Sequence, residues 1–181
     1  MKNGSVAIGI IGAGIMGERL LNAILQQDPA LVHVGGLWDL APEAMARIAA
    51  TFPQVPRLGD AAAVIAASDC AYIASPPASH LGHARAALAA GKRVFCEKPL
   101  AVDVADARAF VAEAGDRGAV NFPFASSPAV ATLRRWIEAG EIGTPRRIAI
   151  EVAFARWPRG WQVEAAGWLD RPAQGGFTRE V

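Results

Sequence analysis

The sequence predicts an α/β protein, a doubly wound parallel sheet followed by the beginning of a second α/β domain, and three observations predict it. Short apolar runs of strand length alternate with segments of helical spacing through roughly the first two thirds of the chain, the pattern of crossover units. A glycine cluster, "GIIGAGIMGERL", joins the first apolar run to the first helical segment. After Phe122 the alternation gives way to a different texture, which sets a boundary between residues 1–121 and 122–181.

Taken in order, Val6–Ile11 reads as a strand, and Met16–Gln27 as a helix with Leu20, Leu21, Ile24 and Leu25 on one face. Val32–Trp38 is the second strand. Pro42–Thr51 is a helix whose proline sits in the first turn, where a missing N–H costs little. Asp60 is placed to cap a short alanine-rich helix, Ala61–Ala67. Cys70–Ala74 reads as a compact buried strand, numbered fourth, and Gly118–Asn121 as the sixth. Between them lie a helix from Ser79 to Ala90 stopped by Gly91, the strand Arg93–Cys96 and the helix Val104–Ala114. Beyond the boundary a helix runs Pro128–Ala139 to a stop at Gly140. Arg146–Phe154 has β character, and Arg156–Arg171 is rich in arginine and tryptophan with little periodicity.

Composition narrows the partners. Of 181 residues 52% are hydrophobic and 19% charged, which suits a well-buried core and excludes a disordered chain. Lys+Arg 18 against Asp+Glu 17 leaves +1, without the basic footprint of a nucleic-acid or anionic-membrane binder. Cys70 and Cys96 are too few for a disulfide framework and lack zinc-site spacing, so they read as buried thiols and no metal is expected. No apolar run reaches the ~18 residues of a membrane span, and a cytoplasmic protein with a small-molecule ligand is expected.

The glycine cluster contains Gly12-x-Gly14-x-x-Gly17 between a strand and a helix. There each glycine has its own physical role, namely a tight turn, close backbone approach to a pyrophosphate, and tight helix-on-strand packing. The helix start that follows, at Ile15 and Met16, offers unpaired N–H groups to phosphate. Asp39 lies 22 residues beyond Gly17, at the end of the second strand, where a carboxylate accepts from a ribose 2'-hydroxyl and repels a 2'-phosphate. NAD is therefore expected over NADP. Arg47 could soften that preference or be an ordinary solvated residue.

Ser75-Pro76-Pro77 follows the Cys70–Ala74 strand on the edge where open α/β sheets bind ligands, either walling a nicotinamide ribose or simply starting a helix. His80 and His83 stand three apart on that helix, with no third ligand nearby to make a metal site. In "VFCEKPLA" a strand ends in Glu97, Lys98 and Pro99. Either the strand exits into water or Lys98 is held for a substrate. Hydride transfer between a nicotinamide and an alcohol carbon needs a group to exchange the hydroxyl proton, and a lysine suitably tuned can serve.

These motifs together resemble the glucose-fructose oxidoreductase/inositol dehydrogenase (Gfo/Idh/MocA) family. The resemblance is carried by the loop Gly12–Gly17, Asp39, Ser75-Pro76-Pro77 with His80, "AAGKRVFCEKPLA" from Ala89 to Ala101, "IEAGEIGTPRRI" from Ile137 to Ile148, and "GGFTREV" from Gly175 to Val181. It implies a Rossmann domain, NAD or less favourably NADP as cofactor, and hydride exchange with a secondary hydroxyl of a sugar, polyol or cyclic diol. Lys98 would then be catalytic and touch both cofactor and substrate. Gly12, Gly14, Ile15, Met16, Gly17, Asp39, Ser75, Pro76, His80 and Glu97 would bind the cofactor, and Glu180 would contact substrate. Residues 122–181 would be the incomplete start of a substrate and oligomerisation domain. The family's motif carries an aspartate where Glu180 stands and a histidine four residues further on. A truncated chain whose full-length form is a homo-oligomer is thus expected, with a non-catalytic dinucleotide sensor as the alternative. "NFPFASSPAV", Asn121 to Val130, departs from the family pattern in having Ala125-Ser126-Ser127 where an arginine or other polar contact is usual. The Arg156, Trp157, Arg159, Trp161 and Trp168 group would form either a pocket wall or a packing surface.

Overall fold

The computed structural model describes residues 4–164 and 166–171. Strands β1 (Val6–Ile11), β2 (Val32–Trp38), β3 (Cys70–Ile73), β4 (Arg93–Glu97) and β5 (Gly118–Asn121) form one wholly parallel sheet in the order β2-β1-β3-β4-β5. The outer position beside β2 is not a strand. A single parallel bridge, Leu37 with Arg57, occupies it, held by Leu37 N–H to Pro56 O at 2.9 Å and Leu58 N–H to Leu37 O at 3.0 Å. Counting that bridge as a position, the order is that of a doubly wound dinucleotide sheet, with the switch point between β1 and β3.

The helices are α1 (Ile15–Leu25), α2 (Pro42–Thr51), α3 (Ala61–Ala66), α4 (Pro77–Ala89) and α5 (Val104–Ala114). α4 begins two residues earlier than its alanine spacing predicts, because Pro77, with φ preset, serves as its first residue. Asp60 caps α3 through Ala63 N–H, and Asp103 caps α5 through Asp106 N–H.

Alternation along each strand builds two cores, one per face. Ile10, Leu37 and Tyr72 meet Leu21 and Ile24 of α1 and Ile48 of α2. Ile11, Ile73, Val94 and Cys96 meet Val64, Leu81, Leu88 and Phe110 from α3, α4 and α5. Strands covered on both sides must read as near-continuous apolar runs, and VAIGII and CAYI do.

By its internal contacts the chain divides into two units. The first holds residues up to Asn121 and, of the described residues, 167–171; the second is Phe122–Ala166. The second contains α6 (Pro128–Glu138), capped by Ser127 through Val130 N–H, and α7 (Gly160–Glu164). A four-residue helix, α8 (Ala166–Leu169), spans the change of unit. Arg146–Phe154, expected as a strand, forms none: it has no ladder partner among the described residues, and a strand exists only by pairing.

Candidate functional site

The loops that follow β1, β2, β3 and β4 gather at the C-terminal edge of the sheet. Gly12 has φ +104°, a region closed to most side chains, and a Cβ there would lie 2.5 Å from the Ala74 carbonyl carbon and 2.6 Å from Ser75 N. The turns after β1 and β3 are therefore in backbone contact at the switch point, and only glycine permits it. At Gly17 a Cβ would fall on the Gly12 carbonyl oxygen, so α1 packs directly against its own loop. At Gly14, the N-cap of α1, a Cβ would meet nothing within 4 Å. The first-turn N–H groups of α1, at Ile15, Met16 and Gly17, are left without a side-chain cap. Such an uncapped, side-chain-free start fits a pyrophosphate.

Asp39 sits beside this loop and is engaged on both oxygens. Ala13 N–H donates to Oδ2 at 2.6 Å and Ala41 N–H to Oδ1 at 2.8 Å, while Gly12 N–H donates to Trp38 O at 2.9 Å. The carboxylate thus braces the loop, a structural role that its spacing from Gly17 does not reveal. Each oxygen retains a lone pair for a further donor. Arg47, half exposed, is not merely solvated: Nη2 donates to Ala13 O at 2.6 Å and Nε to Glu18 Oε1 at 2.6 Å.

On the other side of the switch point, Ser75 Oγ pairs with Ser79 Oγ at 2.7 Å, and Ser79 Oγ donates to Pro76 O at 2.8 Å. His80 is 1% exposed, with Nε2 2.6 Å from Ser75 O and Nδ1 2.9 Å from Pro99 O. Expected among the cofactor contacts, it is buried with both ring nitrogens turned to backbone, joining the Ser75-Pro76 turn to the turn after β4. A neutral imidazole has one N–H for these two carbonyls. Burial lowers its pKa and outweighs the opposing pull of the carbonyls and Glu97. Burial also lowers His83, which packs edge-on to Trp38 at 6.5 Å.

Glu97, 4% exposed, ends β4. Tyr72 Oη donates to its Oε1 at 2.5 Å and Asn121 Nδ2 to the same oxygen at 2.6 Å, a network across β3, β4 and β5. Oε2 is buried and makes no hydrogen bond among the described residues. An unpartnered buried carboxylate oxygen is costly, and a donor on a bound molecule would relieve it. Burial and the Glu97 carboxylate push the Tyr72 phenol well above its ordinary range, so it remains a donor. Burial and the same carboxylate push Cys96 up to about 12, an inert core thiol. Lys98 follows immediately and is joined to Pro99 by a cis peptide bond.

Sequence reasoning did not find the Tyr72–Glu97–Asn121 network or the Arg47 brace. The available signal for the first was a tyrosine in a strand otherwise aliphatic, since a buried hydroxyl requires a partner. Glu180 lies outside the described residues, and so does all of "GGFTREV". Of the arginine–tryptophan group, Arg159 lies over the Phe154 ring at 4.6 Å and the Trp157 ring at 5.9 Å, an arrangement within the second unit.

A parallel doubly wound sheet with a glycine cradle at its switch point defines an NAD-binding Rossmann fold, and residues 6–123 match the model of the oxidoreductase family with such a fold. The chain belongs to this family, Gfo/Idh/MocA. No curated protein matches it. Among solved structures it is similar to scyllo-inositol dehydrogenase from Lactobacillus casei with bound NAD(H) and scyllo-inositol, at 22% identity and TM-score 0.68 over 77% of this chain and 42% of that one. It is similar to UDP-N-acetylglucosamine 3-dehydrogenase from Acidithiobacillus ferrooxidans at 26% identity and TM-score 0.64, over 72% and 41%. An NAD-binding protein from Listeria innocua matches at 26% identity and TM-score 0.66, over 77% and 42%. The chain thus spans less than half the length of these structures. Among the described residues no helix is long and apolar enough to cross a membrane.

Proposed function

We propose that the chain is the dinucleotide-binding part, residues 1–121, and the start of the substrate domain, residues 122–181, of a cytoplasmic oxidoreductase. It moves a hydride between NAD and a secondary hydroxyl of a sugar, polyol or cyclic diol. The observation that carries this reading is the convergence at one sheet edge of an uncapped glycine cradle and a buried carboxylate whose Oε2 has no donor among the described residues, with Lys98 directly after that carboxylate. Gly12, Gly14, Ile15, Met16 and Gly17 hold the pyrophosphate, Asp39 accepts from the adenosine ribose, and Ser75 and Pro76 wall the nicotinamide end. Glu97 accepts from the bound cofactor through Oε2. The cofactor supplies the hydride acceptor. Lys98 orients the substrate hydroxyl and takes part in the transfer of its proton, so that alcohol and NAD would give ketone, reduced NAD and one proton. Glu180 is a substrate contact, and the full-length form assembles as a homo-oligomer. The similarity to a dehydrogenase of a nucleotide sugar, at 26% identity, supports the substrate class.

Calorimetric titration with NAD, followed by absorbance at the reduced-nicotinamide band with a polyol panel, tests the reading on a full-length form. Lys98→Met should leave NAD affinity within about threefold while turnover falls by at least about 100-fold, the scale of a lost general acid–base group. Unchanged turnover would remove Lys98 from the chemistry. Binding without reduction on any substrate would instead favour a dinucleotide sensor.

A further inference from the structure

We propose that Arg47 is a latent receptor for a 2'-phosphate at the adenosine end of the cleft, and that Glu18, by holding it, sets the preference for NAD over NADP. This rests on the dinucleotide reading of the glycine loop. Ala13 is the meeting point: Asp39 takes its N–H at 2.6 Å and Arg47 reaches its carbonyl at 2.6 Å, so an anion and a cation are fixed to one residue of the loop. The ion pair that Arg47 makes is with Glu18, and among the described residues none joins it to Asp39.

Glu18 and Arg47 offset one another, and the Asp39 carboxylate suits a neutral 2'-hydroxyl donating to it and opposes a phosphate carrying about two charges. The Glu18 pair is also open to solvent, with side chains 49% and 32% exposed, so it contributes little to stability and can rearrange at small cost. Its effect lies in where it keeps the guanidinium. Freed at Nε, the planar fork of Arg47 presents adjacent donors of the kind that clamp a phosphate bidentately, which no lysine reproduces.

Isothermal titration with NAD and with NADP at low salt, on wild type and on Glu18→Gln, Asp39→Ser and Asp39→Ser/Arg47→Ala, tests the proposal. The quantity read is the NADP-to-NAD affinity ratio within each variant, so loss of folded protein lowers the stoichiometry and leaves the ratio intact. Wild type should favour NAD. Glu18→Gln should raise the ratio by about threefold or more, Asp39→Ser further, and adding Arg47→Ala to Asp39→Ser should lower it again by about tenfold, the scale of a charge-assisted bidentate contact. A ratio in Glu18→Gln within about twofold of wild type, or an Asp39→Ser ratio indifferent to Arg47, overturns the proposal while leaving NAD binding in place. Wild type that binds neither dinucleotide overturns the cofactor reading itself, a separate result.

Discussion

The two units treat clear apolar patterns in opposite ways. In the first, α1 places Leu21 and Ile24 against β1 and β2, and both are buried. In the second, α6 has an even sharper amphipathic pattern, yet Leu133, Trp136 and Ile137 are each nearly half exposed and the helix buries no residue. Ile148, Ile150 and Val152 recur at period two without a ladder beside them, and all three are exposed. Periodicity states which face of a segment is apolar. Burial needs a second layer to cover it, and among the described residues only the first unit has one on each face of a sheet.

Truncating a core residue sharpens that contrast most. Leu21→Ala, at a site with no exposure, should cost about 2–5 kcal/mol in denaturant unfolding. Tyr72→Phe should cost about 1–2 kcal/mol, because Glu97 Oε1 keeps only the Asn121 donor. Acidification should come next. His80 and His83 have pKa values lowered by burial, so below their ordinary value of 6.5 the unfolded chain binds more protons than the folded one. Stability should therefore fall as pH drops from 6.5 toward the folded-state values. Melting temperatures measured across that window should fall less steeply in His80→Gln. The smallest effect should come from the second unit: Trp136→Ala, 44% exposed, should shift the unfolding midpoint by less than about 1 kcal/mol, and a loss as large as that of Leu21→Ala would erase the comparison.

Much of the first unit was legible in the chain, for physical reasons that can be named. Strands buried on both faces must be apolar throughout, and a loop that passes under another backbone must be glycine, so Val6–Ile11, Cys70–Ile73 and Gly12 advertise themselves. The strand expected at Arg146–Phe154 failed because pairing is a property of two segments and the alternation records only one. The side-chain braces escaped for the same reason. Arg47 to Ala13 spans 34 positions and Tyr72 to Glu97 spans 25, distances over which no local pattern operates. His80 was legible as a helix residue just after the Ser75-Pro76-Pro77 turn, but its burial between two carbonyls depends on Pro99, 19 residues away.

The Tyr72–Glu97–Asn121 network also bears on how the sheet comes apart in time. β5 is a four-residue outer strand, the kind that ordinarily frays first and exchanges its amide protons through small local openings. Its last residue is fastened sideways, through Glu97, to a tyrosine in the strand beyond β4. Releasing that end leaves a buried carboxylate without one of its donors, so opening there costs more than the loss of backbone pairing alone. Amide exchange at this margin of the sheet should therefore be slower in wild type than in Asn121→Ala.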